Sequence, residues 1–120
     1  MATVACPSEQ EEGEAFSAEL TLRGIKHTHI PNETGGDKPA ILRGLRMQRA
    51  GTSPGFPDYL VYTHGKRIAI ELKRVAGSKT SDDQREWLIF LSQYGYHCAV
   101  CHGAAEAMEF VNEVIKGSSP

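Results

Sequence analysis

Apolar residues recur along this chain with two spacings, one typical of helices and one typical of strands. Between Ser8 and Gly24, apolar residues such as Phe16 and Leu20 recur at helical intervals. Ser8 is a favourable N-cap, acidic residues follow it, and Gly24 is a favourable terminator. The pattern predicts a first helix from Ser8 to Gly24, after a loose tail over residues 1–7. Residues 25–30 alternate apolar and polar side chains, which predicts a short strand.

The rest of the chain continues with alternating and helical segments. Two alternating segments, 58–63 and 66–74, are separated only by His64-Gly65, which predicts a tight β-hairpin. Helical spacing predicts helices over 38–50, 82–94 and 103–115, and residues 96–101 form a further predicted strand. The order α-β-α-β-β-α-β-α predicts an α/β domain in which helices flank a small mixed β-sheet. We expect one domain over residues 8–116 and a frayed end over 117–120.

Length and composition narrow the class of protein. The chain has 120 residues, of which 40% are hydrophobic and 23% charged, as expected of one compact globular domain. No segment approaches the about 18 apolar residues that a membrane span needs. The N-terminus also lacks the basic and then apolar pattern of a secretion signal. We therefore expect a cytoplasmic protein without a membrane partner.

The charge is distributed unevenly. The formal net charge is −2, but residues 38–85 hold ten of the 13 Lys and Arg residues and four of the 15 Asp and Glu residues, a local net of +6. A basic middle of this kind can bind a phosphate backbone although the total charge is nearly neutral. Ordinary solvated surface charge is the alternative interpretation.

Three cysteines, an odd number, argue against a disulfide framework. Cys98 and Cys101 are three residues apart in a predicted strand, so their side chains point to opposite faces. This spacing favours small buried residues over a zinc or redox site.

The predicted hairpin places ionisable groups together. Pairing outward from His64-Gly65 brings Asp58 near the level of Glu71, where two carboxylates can share one hard cation. Glu71 and Lys73 point to the same face, while Leu72 points into the core and leaves its carbonyl available. Two carboxylates and an ammonium group suit metal-assisted phosphodiester hydrolysis. The alternative is a Glu71–Lys73 surface pair on an edge strand.

The string Gly55-Phe56-Pro57-Asp58, twelve further residues, and Glu71-Leu72-Lys73-Arg74 resembles the PD-(D/E)XK nuclease superfamily, and more narrowly its VRR-NUC family. Other segments fit that family as well. They are Ser8-Glu9, His29-Ile30-Pro31-Asn32-Glu33, Ser81 with Gln84 and Trp87, and Gly95-Tyr96. The resemblance runs from about Ser8 to Ile115 and implies a restriction-endonuclease-like core.

The resemblance also implies roles for individual residues. Asp58 and Glu71 would bind Mg²⁺ or Mn²⁺, with the Leu72 backbone carbonyl as a further ligand. Lys73 would be the catalytic lysine, and Gln84 would assist water or substrate. The family adds a first-helix carboxylate, for which Glu9 fits best and Glu12 is the alternative; both could instead serve the helix dipole. Gly13 disfavours helix near Glu9, so we expect that end to be mobile until metal or DNA binds.

The same resemblance implies a substrate and an assembly. Family members that consist of this domain alone, of the virus or bacterium type, are metal-dependent DNA endonucleases selective for branched DNA such as four-way junctions. We expect a homodimer in a bacterial or virus-infected cell that cleaves DNA without a nucleotide cofactor. A catalytically silent DNA-binding module with the same fold is the alternative. His27 and His29 are expected on the strand surface, and Asn32 and Glu33 in a loop or a subunit contact. The candidate phosphate contacts are Arg43, Arg46, Arg49, Lys66, Arg67, Arg74, Lys79 and Arg85.

Overall fold

A computed structural model describes residues 6–31, 54–76 and 79–117. The predicted helix over 38–50 lies outside these residues. So do Arg43, Arg46 and Arg49, together with Asn32 and Glu33. No helix within the described ranges is long and apolar enough to cross a membrane.

The described chain forms three helices and four strands. They follow in the order α1 (Glu9–Leu22), β1 (Lys26–His29), β2 (Tyr59–Thr63), β3 (Lys66–Lys73), α2 (Asp82–Ser92), β4 (Tyr96–His102) and α3 (Ala104–Lys116). Each predicted element within the described ranges is present. The ends differ by one or two residues, as is usual for helix and strand boundaries.

The strands form one mixed sheet in the order β1-β2-β3-β4. The pairs β1–β2 and β2–β3 are antiparallel, and β3–β4 is parallel, with α2 as the connection. The mixed α/β sheet that the sequence predicted is therefore confirmed. The hairpin turn is also as predicted, because His64 and Gly65 have φ angles of 52° and 71°, as a tight two-residue turn requires.

Of the boundaries that differ from the prediction, the start of β2 affects the candidate site. Asp58 was expected to open β2, but β2 begins at Tyr59, and Asp58 lies in the bend before it. The last β2–β3 pair is Tyr59 with Ile70, so β3 continues for three residues without a partner in β2. On its other side β3 remains paired with β4 as far as Lys73 and His102. The end of β3 is therefore open toward Asp58.

The core lies between the sheet and the pair of helices α1 and α3. Fully buried side chains of α1 contact those of the sheet and of α3, and α1 packs on α3. The buried residues are Phe16, Leu20, Val61, Ile68, Ile70, Leu72, Cys101, Ala107 and Val111. Burial of this apolar area is the main stabilising contribution to the fold. It fixes β3, which carries the charged residues of the candidate site, against α1 and α3.

Gly13 allows α1 to approach the sheet closely. A Cβ at this buried position would overlap with the hydroxyl oxygen of Tyr59 and would lie 3.7 Å from Leu72 Cδ2. The sequence suggested only that Gly13 weakens the start of the helix. The structure adds that its missing side chain lets the first turn of α1 lie against Tyr59, next to Asp58.

Candidate active site

Four polar side chains are buried together where β3 emerges from the hairpin. Asp58, Glu71, Lys73 and Gln84 are only 5%, 1%, 8% and 8% exposed. Ionised groups are rarely buried this deeply unless they are paired or bind a metal. These four are the residues that the sequence predicted for catalysis, and the structure brings them together.

Asp58 is held against the open end of β3. Its carboxylate accepts a hydrogen bond of 3.1 Å from the backbone N–H of Leu72, and its backbone carbonyl accepts one of 2.6 Å from Ile30. The bend before β2 is thus tied to both β1 and β3. Continuing the β2–β3 register by one residue places Asp58 level with Glu71, as the sequence predicted.

The sequence string from Gly55 to Asp58 is placed by contact with α2. A Cβ at Gly55, whose φ is +87°, would lie 2.6 Å from the Asp83 carbonyl carbon and 2.8 Å from the Gln84 nitrogen. The Phe56 ring packs edge-on against Trp87, with 5.0 Å between ring centroids. Glycine and phenylalanine therefore bring the loop before Asp58 onto the first turns of α2.

Gln84 joins α2 to Glu71. Its side-chain oxygen accepts the N–H of Ser81 at 2.9 Å, and its own backbone N–H donates to the Ser81 hydroxyl at 3.2 Å, which forms a capping box. The side-chain nitrogen of Gln84 is then directed to Glu71 Oε2, at 3.0 Å. The S-x-x-Q spacing thus orients the amide, a signal that the sequence contained.

We predict that Gly55→Ala separates α2 from the site. Alanine at this φ is strained by about 1–2 kcal/mol, and its Cβ must displace the α2 backbone, which costs about 1–3 kcal/mol more. We expect a lower melting temperature, together with faster solvent exchange of the Gln84 side-chain amide measured by NMR. Gly65→Ala is the matched control, because Gly65 also has a positive φ but has no atom within 4 Å of its Cβ position. An equal decrease in melting temperature and an equal increase in Gln84 amide exchange in the two variants would contradict this account.

Glu9 completes a group of three carboxylates. One carboxylate oxygen each from Glu9, Asp58 and Glu71 lie within 4.8 Å of one another. Glu9 is exposed at the first turn of α1, which Ser8 caps through a hydrogen bond to the Glu11 N–H. Glu12, the alternative, is used differently, because its Oε1 accepts a 3.0 Å hydrogen bond from the backbone N–H of Ala104.

The electrostatics of this group disfavour three negative charges. Burial and the charge of Asp58 raise the pKa of Glu71 from 4.5 to about 8, although Lys73 opposes the shift. Burial also raises the pKa of Asp58, and burial and Asp58 raise the pKa of Glu9. Lys73 Nζ lies 3.4 Å from Glu71 Oε2, so a single ammonium group faces several carboxylates.

These shifts predict how the stability of the metal-free protein, measured in EDTA, depends on pH. Between about 4.5 and about 8, folded Glu71 holds a proton that the unfolded chain has released, so the free energy of unfolding decreases as pH rises through this window. In EDTA, we expect the melting temperature to fall over this range and Glu71→Gln to reduce the fall. A steeper fall in Glu71→Gln than in the wild type would be opposite to this prediction.

The donor set fits a divalent metal ion. Among the described residues, Oε1 of Glu71 is a buried side-chain atom that has no hydrogen-bond partner. Carboxylate oxygens are the ligands that Mg²⁺ and Mn²⁺ prefer. Two oxygens each about 2.1 Å from Mg²⁺ can lie up to about 4.2 Å apart, so small side-chain rotations would suffice to close this group around an ion.

Cys101, His27 and His29 are not members of the carboxylate group. Cys101 belongs to the core, and burial raises the pKa of its thiol to about 12. His27 bonds to the Ser17 hydroxyl and the Ile25 carbonyl, whereas the ring of exposed His29 lies 4.8 Å from that of Tyr59. The charge of His29 opposes the rise in the pKa of Asp58.

The predicted phosphate contacts are spread over the molecule. Arg74 and Lys79 are exposed on the segment that follows Lys73. Burial raises the pKa of Glu9, and the charge of Arg74 partly opposes this rise. Arg85 is exposed on α2 and lies 3.2 Å from Asp82. Lys66 and Arg67 lie at the opposite end of the eight-residue strand β3, so the structure does not bring them to the site.

Comparison with known proteins identifies the family of this chain. The model of the VRR-NUC domain family matches residues 11–105, a range that includes Asp58, Glu71, Lys73 and Gln84. The chain belongs to the VRR-NUC domain family. A solved structure described as a VRR-NUC domain protein superposes with a TM-score of 0.74, covering 94% of this chain and 92% of that one at 19% identity. The VRR-NUC fold is therefore shared nearly from end to end.

A curated relative is similar over a shorter range. The Fanconi-associated nuclease 1 homolog of Caenorhabditis elegans is 34% identical over 67 residues, which is 55% of this chain. That range is only 8% of the relative's own length. The resemblance to the VRR-NUC family that the sequence indicated is confirmed by the family match.

Proposed function

We propose that this VRR-NUC domain is an endodeoxyribonuclease that hydrolyses phosphodiester bonds with Mg²⁺ or Mn²⁺. The observation that carries the proposal is the convergence of Glu9, Asp58 and Glu71 beside the buried Lys73. Family membership supports a nuclease in general. The metal dependence rests on the three carboxylates and on the unpartnered Glu71 oxygen.

Asp58, Glu71 and Glu9 would hold the ion, together with the Leu72 carbonyl. In an extended strand the N–H and C=O of one residue point to the same edge, and the Leu72 N–H points to Asp58. The Leu72 carbonyl is therefore directed toward the same side of β3 as Asp58. When bound, the ion would lower the pKa of a water molecule and offset negative charge on the phosphate.

Lys73 would act on the attacking water or the phosphate, and Gln84 would orient the metal ligand Glu71. Lys73 Nζ is placed by its ion pair with Glu71, from which it can donate hydrogen bonds to an attacking water or to a phosphate oxygen. Gln84 holds the Glu71 carboxylate in one orientation through its side-chain nitrogen. Arg74, Lys79 and Arg85 are the exposed cations on the segments flanking these residues, and we propose them as phosphate contacts.

We further propose that the substrate is branched DNA, such as a four-way junction, and that the protein acts as a homodimer. Two active sites related by a two-fold axis suit paired cuts on a symmetric branched substrate. Light scattering at micromolar concentration tests the assembly, since a monomeric mass is inconsistent with the dimer. Preference for a junction over a linear duplex of equal length tests the substrate.

The test of the activity is cleavage of supercoiled plasmid with Mg²⁺, Mn²⁺ or EDTA. We expect nicked or linear product with either metal and none with EDTA. Cleavage that persists in EDTA would rule out the metal mechanism. DNA binding without cleavage in both metals would instead indicate a catalytically silent module.

A further inference from the structure

Glu12 connects two elements that are far apart in the sequence. Its Oε1 accepts a hydrogen bond of 3.0 Å from the backbone N–H of Ala104, 92 residues later. Ala104 is the first residue of α3, whose N-cap, Gly103, provides no side-chain hydrogen bond to the helix. The carboxylate from α1 therefore caps α3, at the end where the helix dipole favours a negative charge.

The backbone that Glu12 contacts is itself fixed to the end of β3. The N–H of Gly103 donates to the carbonyl oxygen of Lys73 at 2.9 Å. A Cβ at Gly103 would lie 3.3 Å from Glu12 Oε2 and 3.0 Å from Val75 Cγ2, so glycine leaves the room that the Glu12 carboxylate occupies. Glu12 is thus joined, through two residues, to the strand that carries Glu71 and Lys73.

Glu12 also lies one helical turn from Glu9. Three residues of α-helix rise about 4.5 Å and return to nearly the same side. Helix ends fray readily, and the first turn of α1 is capped by the exposed Ser8 and ends at Gly13. A tertiary hydrogen bond at Glu12 opposes fraying of this turn.

We propose that Glu12 is a positioning residue that fixes the first turn of α1 so that Glu9 meets Asp58 and Glu71. The inference rests on the proposed metal site and adds a residue that does not touch the metal. The Glu12 carboxylate acts by binding α3, and Gly103 acts by leaving space for it. Removal of this contact should loosen Glu9 and leave Asp58 and Glu71 in place.

The test compares Glu12→Ala and Glu12→Gln by calorimetric titration of Mn²⁺ into DNA-free protein. Residues that orient metal ligands without touching the metal commonly contribute about 10-fold or more to metal affinity. We therefore expect Glu12→Ala to bind Mn²⁺ about tenfold more weakly. Glu12→Gln keeps an oxygen that can accept the Ala104 N–H, so we expect it to recover most of the affinity. Glu19→Ala, which removes an exposed ion pair with Arg23 on the same helix, is the control.

A double-mutant cycle separates positioning from general destabilisation. If Glu12 acts through Glu9, then Glu12→Ala should have no further effect on Mn²⁺ affinity once Glu9 is already alanine. If the losses of Mn²⁺ affinity from Glu9→Ala and Glu12→Ala instead add up in the double variant, the proposal is overturned. So would unchanged Mn²⁺ affinity in folded Glu12→Ala.

A second measurement does not depend on the metal. Hydrogen exchange of the Glu11 and Glu12 backbone amides, which donate to Ser8, should accelerate in Glu12→Ala but not in Glu12→Gln. Absence of Mn²⁺ binding to the wild-type protein would refute the proposed metal site alone. Unchanged exchange in Glu12→Ala would refute the role of Glu12 alone.

Discussion

Asp58→Asn is expected to reduce DNA cleavage by about 1,000-fold or more, because metal ligands and preorganised charge contribute effects of that order to such sites. Asparagine retains an oxygen that can accept the Leu72 N–H, while it removes the negative charge and replaces the second carboxylate oxygen with an NH2 group. The variant should therefore fold. We expect its melting temperature in EDTA to be no lower than that of the wild type, because the charge that raises the pKa of Glu71 is gone.

The matched control is Asp82→Asn. The Asp82 side chain is 94% exposed at the start of α2 and lies 3.2 Å from Arg85. Plasmid cleavage by this variant should be at least as fast as that of the wild type, because Arg85, a proposed phosphate contact, keeps its charge and loses only an acidic neighbour. Asp58→Asn with cleavage within tenfold of the wild type would show that Asp58 is not a required ligand.

Lys73→Met is expected to separate catalysis from metal binding. Methionine retains an apolar side chain of similar length in a position that is 8% exposed. Loss of the ammonium group should lower kcat by about 100- to 1,000-fold. Mn²⁺ affinity should stay equal or increase, because a positive charge beside Glu71 is removed. Lys73→Arg should not restore cleavage, since a planar guanidinium group differs in size and geometry from an ammonium group.

Lys116→Met at the end of α3 is the control, because Lys116 lies on the last turn of that helix, outside the candidate site. It should cleave as the wild type does. Lys73→Met that cleaves at the wild-type rate would remove Lys73 from the mechanism. A parallel loss of metal affinity would instead assign Lys73 a structural role.

The hairpin and its carboxylates could be predicted because the signals are local. The alternation of side chains and the two-residue turn at His64-Gly65 fix which residues of β2 and β3 lie opposite each other. Asp58 and Glu71 follow from that register alone. Even so, Asp58 proved to lie in a bend before β2, because its carboxylate binds the Leu72 N–H beyond the last strand pair.

The helix ends were predictable for the same reason. Ser8 and Ser81 each begin a capping box, and that motif is contained within four consecutive residues. The capping box at Ser81 also orients the Gln84 amide toward Glu71. The local rule fixes only the orientation of the amide. Its contact with Glu71 depends on the packing of α2 on β3, and the sequence indicated Gln84 only through the family resemblance.

The roles of Gly13, Gly55 and Glu12 could not be predicted. Each depends on an element that is distant in the sequence: Tyr59 for Gly13, the α2 backbone for Gly55, and Ala104 for Glu12. Close approach of two backbones leaves no periodic pattern in either segment. For Glu12 the sequence offered only the alternatives of metal ligand and helix-dipole partner, and the packing of α1 on α3 shows instead that it caps α3.

The central claim is that Glu9, Asp58 and Glu71 hold the ion on which phosphodiester hydrolysis depends. The most direct measurement is anomalous X-ray scattering from crystals of the protein soaked in Mn²⁺. The account predicts anomalous density between the three carboxylates, beside Lys73, that disappears in Asp58→Asn. Density that occurs only at other sites, or that persists unchanged in Asp58→Asn, would contradict it.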